Sequence, residues 1–306
     1  MTGPSEVQVR PLETQRVAEA IALLTERLPH LPRTEAALPF ESPEIFPLLV
    51  CHTAHDESDR IIGVGLVQRP GFAPPHRCAL RVIVARELEG RGVGSALRAS
   101  LLPHVPETIT RLGTGVFDDE ERALAVAQHW GFEIEEHVID SSLDLGDGST
   151  LPQSDLPRGV TLDETPDLRF ADPDDVERML RASQTNPEAA LGFLMTLEGF
   201  GSMLATGEEP VCVVARVEGV PAGITFGGVQ AGALHIAYSG VDPAFRGRGI
   251  MRVVKERAHV VAARLGASVS RTNNEEHNVG IRRINADLGY VVRSGVYRMA
   301  QEHQPS

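Results

Sequence analysis

Val241-Asp242-Pro243-Ala244-Phe245-Arg246-Gly247-Arg248-Gly249-Ile250-Met251 is the stretch whose reading decides the fold. Before it, Ala233 to Val241 is rich in β-branched residues and bounded by turn residues, the pattern of a strand. After it, Ile250, Val254, Ala258, Val261 and Leu265 step by three and four, the stripe of an amphipathic helix that Gly266 would close. Strand, glycine-rich turn and helix in that order make a phosphate cradle. Glycines let the backbone approach a pyrophosphate, and the free N–H groups and dipole of the helix N-terminus favour its charge. No Gly-Lys-Ser/Thr follows, which excludes a P-loop, and the glycine spacing does not suit a dinucleotide fold.

The pattern occurs twice. Val84 to Gly94, VARELEGRGVG, aligns without gaps to Val241 to Met251, and His129 to Ile139, HWGFEIEEHVI, aligns to Asp287 to Tyr297, DLGYVVRSGVY. The offsets are 157 and 158 positions, so both copies keep one internal spacing. In the first copy Val93, Leu97 and Leu101 repeat the helical stripe, stopped by Pro103. Leu145 to Gly159 is a Gly/Ser/Pro/Asp cluster, and the expected division is a domain over 1–146, a linker over 147–158 and a domain over 159–306. Each half reads as a strand, one or two helices, three strands, a helix, a strand, a helix and two strands. In the second half strands are expected near Val160, at Pro210 to Arg216, Val220 to Val229 and Ala233 to Val241.

A chain of 306 residues holds two ordinary domains, and 42% hydrophobic with 23% charged residues is a globular composition. No apolar run approaches the ~18 residues of a membrane span and no leader pattern is present, so the expected address is the cytoplasm. Three cysteines without CxxC spacing, Cys51, Cys78 and Cys212, suggest neither a disulfide framework nor zinc. A net charge of -13 disfavours nucleic acid and favours a cationic or amine substrate. An anionic cofactor would be held against this field by local amides and arginines.

Arg246 to Met251, preceded by Val241-Asp242-Pro243, resembles the acetyl-coenzyme A signature (Arg/Gln-x-x-Gly-x-Gly/Ala after a strand) of the GNAT superfamily of N-acetyltransferases. Asn273 to Tyr290 resembles the superfamily's second block, which ends in Gly-Phe or Gly-Tyr. The tandem layout is similar to that of double-domain actinobacterial members such as mycothiol synthase. The resemblance implies an α/β (α+β) chain of two tandem GNAT-like domains, each a mixed, mainly antiparallel twisted sheet flanked by helices. It implies acetyl-coenzyme A as cosubstrate and a small amine as acceptor, with no metal, nucleic acid or membrane partner. Monomer and homodimer both remain open. By the family pattern, backbone amides of Arg246, Gly247, Arg248, Gly249, Ile250 and Met251 hold the pyrophosphate. The Val241 backbone pairs with the pantetheine arm, and Asn278 contacts it. Met251 stands where Gly or Ala is usual.

The first copy departs further: Glu89 replaces the expected Arg or Gln, and Glu120 occupies the position of Asn278. Two carboxylates beside a pyrophosphate would each cost on the order of 1 kcal/mol. The first domain is therefore expected to bind coenzyme A weakly or not at all, leaving catalysis to the second. Acetyl transfer needs a neutral amine, and an amine of pKa ~10 must lose a proton at pH 7. The family's usual base, six residues before the strand-ending valine, corresponds to His235, and its usual tyrosine acid corresponds to Asn285. Strict strand alternation would put Ser239 on the face of His235 and Tyr238 on the other, making Ser239 a substrate contact and Tyr238 packing.

Direct transfer is expected, since no cysteine is placed as nucleophile. The alternatives are a non-catalytic acyl-coenzyme A-binding module and a mycothiol synthase-like enzyme. The acceptor pocket is expected around Asn186 to Glu209, where no motif is legible. His52 and His55 read as a solvated polar turn after a strand, Trp130 as core packing, and the acidic runs Asp118 to Glu121 and Asp172 to Asp175 as helix starts.

Overall fold

The computed structural model describes residues 7–29, 31, 33–71, 73–164, 173–180 and 209–304. In chain order these form β1 (Gln8–Pro11), α1 (Val17–Arg27), α2 (Arg33–Glu41), β2 (Leu48–His55), β3 (Ile61–Arg69), β4 (Arg77–Val84), α3 (Val93–Leu101), β5 (Arg111–Phe117), α4 (Glu121–His129) and β6 (Glu133–Asp144). There follow β7 (Val160–Glu164), α5 (Pro173–Leu180), β8 (Glu209–Val217), β9 (Val220–Gln230), β10 (Ala233–Val241), α6 (Ile250–Arg264), β11 (Val269–Glu275), α7 (Val279–Asp287) and β12 (Val291–Glu302). The expected acceptor region, Asn186 to Glu209, lies outside the described residues except for Glu209. The Asp172 run also begins outside them.

Two compact units result. The first contains Met1–Val116, Arg122–Glu135 and Arg298–Ser306, and the second contains Phe117–Glu121 and Glu136–Tyr297. The units differ from the sequence halves at the strands that close each copy. Where two strands were expected after the last helix, one twelve-residue strand appears, β6 in the first copy and β12 in the second. Glu133 to Asp144 contains no Gly or Pro to stop a strand, which accounts for its unbroken length. Most of β6 lies in the second unit, and the last residues of β12 lie in the first.

In the first unit β1, β2, β3 and β4 pair antiparallel, and β4 pairs parallel with β5. Beside β5, His303 donates its amide to the Thr110 carbonyl, and Glu302 meets Arg111. Helices α1 and α2 supply Ala20, Leu23, Leu24 and Ala36 to a core over Val64 and Leu66. Val93 and Leu97 of α3 pack with Ala54 and Ile62 in another. The stripe read from the sequence is the buried one.

In the second unit β7, β8, β9 and β10 pair antiparallel, β10 pairs parallel with β11, and β11 pairs antiparallel with β6 from Val269↔Asp144 to Glu275↔Val138. The core beneath α6 gathers Ile250, Val254 and Ala258 with Val211, Val213, Ala215 and Leu234. Leu143, Leu145 and Leu151 also join it, so residues before the second copy complete its core. The opposite face of the sheet packs Cys212, Ile224, Phe226 and Tyr238 against Met179 and Leu180 of α5. Within the stretch expected as a linker, Ser154 donates its amide (2.7 Å) and hydroxyl (2.8 Å) to the buried Glu256 carboxylate of α6. That segment is tied to the helix.

His52 and His55 require a correction. They are buried residues of β2, not a solvated turn. Their polar atoms are met inside: His52 Nδ1 lies 3.0 Å from Ser100 Oγ, and His55 lies among Thr53, Arg16 and Asp59. Satisfied in this way, the imidazoles allow the strand to continue through them.

Candidate active site

In the second unit β10 and β11 are paired only at Ala233↔Val269, Leu234↔Ser270 and His235↔Arg271, and then they part. A cavity of about 1110 Å³ lies where they separate. Ile236 to Val241 line one side, Thr272 to Glu275 the other, and Arg246, Gly247, Gly249 and the start of α7 the mouth. Among the described residues no strand partners β10 on this edge past His235.

The register of β10 against β9 slips between Ile236↔Gly227 and Tyr238↔Phe226, which leaves Ala237 as a bulge. The neighbouring strand must come very close there. A Cβ on Gly227 would stand 1.9 Å from the His235 carbonyl oxygen, so only glycine fits. One extra residue also reverses alternation. His235 shares its face with Tyr238, on the side of α5, while Ser239 faces α6, so the expected common face for His235 and Ser239 is not found. Ser239 Oγ lies 3.0 Å from Thr225 Oγ1 on that side. Tyr238 is buried, with its ring centroid 5.8 Å from that of Phe226.

At the mouth, Asp242 Oδ1 accepts from the Ala244 amide (2.9 Å) and caps the short 3-10 turn at Pro243–Phe245. Gly247 (φ 77°) and Gly249 (φ 77°, ψ 5°) then take the left-handed conformation that a side chain disfavours. Helix α6 opens at Ile250, and Val253 makes the first return bond, to the Gly249 carbonyl at 3.4 Å. The amides of Ile250, Met251 and Arg252 precede that bond. Among the described residues no backbone carbonyl accepts from them or from Gly247, Arg248 and Gly249 outside the helix ladder. Met251 turns its side chain inward, 3.8 Å from Thr225 Oγ1, and leaves the outer surface of the turn clear. Arg246, Arg252 and Arg283 line the cavity beside Glu275 and Asp287, with Arg252 3.7 Å from Asp287, so cationic groups reach the mouth in a chain of net charge -13. Arg246 Nε donates to the Val241 carbonyl (3.2 Å), joining the strand end to the turn. The donor set fits a diphosphate.

Behind the cavity wall lies a polar network that sequence reading missed, because lysine ordinarily reads as solvated. Lys255 is fully buried and donates to Asn285 Oδ1 (2.8 Å), and Asn285 Nδ2 donates to Asn274 Oδ1 (2.7 Å). His259 Nε2 and Ser270 Oγ lie 2.7 and 2.6 Å from Tyr290 Oη. Burial pushes the Lys255 ammonium down to about 7, and burial with the nearby Lys255 charge pushes His259 down to about 3. His259 thus stays neutral in the fold while an unfolded histidine takes up a proton below about 6.5. Stability held above that pH is lost as pH falls, by on the order of 2 kcal/mol at pH 5. The loss due to Lys255 accrues on the alkaline side of 7, between its folded and unfolded values. Thermal unfolding midpoints between pH 7 and pH 5 should fall less steeply in His259→Gln than in the parent chain.

Val241, Arg246, Gly247, Gly249, Ile250, Met251 and Asn278 line the cavity, and Arg248 lies in the same turn, its guanidinium 5.4 Å from the Phe245 ring centroid. Asn278 is the N-cap of α7 and makes no side-chain cap bond. Ser239 lines the cavity as well. His235 sits one residue before the lining, and burial with the nearby Arg271 charge holds its pKa below the ordinary histidine value. Asn285 lies behind the wall with both ends of its amide engaged; the amide that reaches the cavity is that of Asn274. Burial raises the Cys51, Cys78 and Cys212 thiols to about 12, 11 and 12, far from thiolate reactivity. Among the described residues no cluster of His, Cys, Asp or Glu is arranged for a metal, and no helix is long and apolar enough to cross a membrane.

The first unit repeats the turn but not the bulge. Gly90 (φ 75°) and Gly92 (φ 85°) match Gly247 and Gly249, and β4 parts from β5 after Ala79↔Gly113. Its β3–β4 register nevertheless runs unbroken from Gly63↔Val84 to Gln68↔Ala79. Glu89 meets Arg27 at 2.6 Å and Arg122 at 3.3 Å, which offsets the charge expected to repel a phosphate there. Trp130 packs near Gly94 with Arg98 over its ring.

Residues 20–132 match the Acetyltransferase (GNAT) family. Among solved structures, a tandem GNAT protein from the clavulanic acid biosynthesis pathway is 20% identical, with 98% of this chain and 100% of that one covered and a TM-score of 0.75. A GCN5-related N-acetyltransferase from Sphaerobacter thermophilus is 16% identical over 100% and 98% of the two chains, with a TM-score of 0.77. A GCN5-related glucosamine N-acetyltransferase region of a fungal multi-domain beta-N-acetylglucosaminidase is 17% identical, with 97% of this chain and 38% of that one covered and a TM-score of 0.74. No curated protein matches the chain.

Proposed function

Because the chain carries a GNAT acetyltransferase domain at residues 20–132 and the tandem GNAT fold along its length, we propose that it transfers an acetyl group from acetyl-coenzyme A to a primary amine of a small, cationic acceptor, and that its second compact unit does the chemistry. The observation that carries this reading is the parting of β10 and β11 over a cavity with an open phosphate turn at its mouth and a bulge on its wall.

Bound acetyl-coenzyme A would supply the activated acyl group as a thioester. The amides from Gly247 to Arg252 and the adjoining arginines would hold its pyrophosphate, and the edge of β10 that parts from β11 would receive its arm. The bulge frees the Ala237 backbone from strict pairing, and a main-chain donor there would stabilise charge developing on the acyl oxygen. The acceptor enters from the α5 face, where His235 points. Held neutral by burial, His235 takes the amine proton, directly or through water, as the new C–N bond forms and the C–S bond breaks. The departing thiolate needs no obligatory acid, since a thiol has a pKa of only ~8.5.

Release of free thiol from acetyl-coenzyme A by the full chain with a panel of amines tests the assignment. Sustained turnover supports it; binding without turnover supports the non-catalytic module instead. His235→Ala should lower kcat by about 100-fold or more, the usual contribution of a general base, with acetyl-coenzyme A binding unchanged. In the parent chain turnover should stay level down to the acid side of ~6.5, because the histidine pKa is lowered and not raised. Equal kcat in the variant would remove His235 from the mechanism.

A further inference from the structure

The buried lysine behind the cavity has a consequence for the cavity itself. Below about pH 7, where Lys255 is protonated, its ammonium donates hydrogen bonds and accepts none, so the Asn285 amide turns its Oδ1 toward Lys255 Nζ, 2.8 Å away. That orientation sends Asn285 Nδ2 toward Asn274, where only an oxygen can receive it, at 2.7 Å. Asn274 Oδ1 is thereby engaged, and both hydrogens of its Nδ2 remain for the cavity that Asn274 lines. An isolated asparagine at a cavity wall can present either end, and the two orientations are nearly isosteric. Here the choice is made two residues away by a cation.

We propose that Asn274 is the side-chain donor this cavity presents to the acceptor atoms of an acyl-coenzyme A arm, and that the buried Lys255–Asn285 pair is a positioning device that fixes its polarity. The proposal rests on the reading of the cavity as an acyl-coenzyme A site. Three observations support it together. Lys255 is fully buried, and among the described residues its contacts are the Asn285 oxygen and the Tyr290 ring, 5.3 Å to the centroid, with no carboxylate. Burial of an ammonium without a counter-ion is costly, and an apolar side chain of similar length would fill the same space more favourably. The chain of amides ends at the wall where β11 diverges from β10, facing the open β10 edge. An arm lying along that edge presents amide carbonyls and sulfur, which accept hydrogen bonds.

Asn274→Asp separates the two ends of this device. A carboxylate still accepts from Asn285 Nδ2, so the network behind the wall persists, while the group facing the cavity changes from donor to charged acceptor. Calorimetric titration of the full chain with acetyl-coenzyme A at pH 6, where Lys255 is protonated, should show binding weakened about tenfold or more, the loss of one good hydrogen bond plus repulsion. The unfolding midpoint should stay close to the parent value. Lys255→Met should weaken binding by roughly 2- to 5-fold, as the amides become free to flip. In an Asn274→Ala background Lys255→Met should have no further effect on binding, because the lysine acts through Asn274; a packing role would give additive losses.

Parent-level binding by Asn274→Asp, or equal loss from Lys255→Met in both backgrounds, would overturn the inference and leave the acyl-coenzyme A assignment standing. Absence of acetyl-coenzyme A binding by the parent chain would remove both. Should Lys255→Met fail to fold, the Asn274→Asp titration decides alone.

Discussion

Gly249→Val should abolish acetyl-coenzyme A binding and turnover, while the matching change in the other copy, Gly92→Val, should leave both near the parent level. The two glycines are conformational twins: Gly249 has φ 77° and ψ 5° at the N-cap of α6, and Gly92 has φ 85° and ψ −6° at the N-cap of α3. A β-branched residue in that region costs roughly 1–3 kcal/mol of backbone strain at either site. Neither substitution meets a wall, since a Cβ at Gly249 would find only Pro157 Cγ at 3.9 Å and one at Gly92 nothing within 4 Å. Stability losses should therefore match, and binding alone should distinguish the variants. At Gly249 the new side chain projects over the amides proposed to hold the pyrophosphate. Charge-assisted bonds of about 1.5–3 kcal/mol each are lost, so two broken contacts weaken binding about 100-fold or more. Titration calorimetry beside thermal unfolding reads both quantities. A reversed pattern, with binding lost in Gly92→Val, would move the site to the first unit, where the family match falls.

The features legible in the sequence are those carried by local pattern. The helical stripe of α6 is buried at Ile250, Val254 and Ala258, its turn opens at Gly247 and Gly249, and Gly266 takes the positive φ (87°) that a closing residue needs. Strand β10 was legible to the residue, yet the facing of its side chains was not. Alternation assumes one residue per position, and the bulge at Ala237 depends on Gly227, a residue on another strand. Lys255 was not singled out, and the depth of Asn285 was not legible, for a related reason. A lysine four residues from His259 on a helix looks like a solvated face, and its burial follows from α7 and Tyr290 closing over it. Asn285, which the family pattern puts at the acid position, lies behind the wall with both ends of its amide engaged, and it is Asn274 that lines the cavity. Least legible was which copy completes which core. β6 ends the first copy in sequence, yet pairs with β11 of the second, and nothing local in Glu133 to Asp144 names its partner.

That exchange carries the last prediction: the second copy alone, residues 159–306, should not fold to a stable domain. Without β6, β11 loses seven register positions and becomes an open edge strand, a template for aggregation. The core beneath α6 loses Leu143, Leu145 and Leu151, and Val138 and Ile139 are absent from the sheet. At about 1.5–3 kcal/mol for each of the three buried side chains among these, Val138, Ile139 and Leu145, the deficit is about 5–9 kcal/mol. A domain's entire stability is about 5–15 kcal/mol, so little remains. The carboxylate of Glu256 also loses Ser154 while still buried in its helix. Residues 159–306 produced alone should be found in the insoluble fraction or show no cooperative melt, and residues 1–158 should fare similarly without Arg298–Ser306. Produced together, the two pieces should copurify in equal amounts and melt as one species. A cooperative melt from 159–306 by itself, near the midpoint of the full chain, would show that the exchanged strands are ornaments on two self-sufficient cores. Expected instead is mutual dependence: the duplicated copies have each come to rely on a strand that the other encodes, so acyl-coenzyme A binding in the second unit should require both halves of the chain.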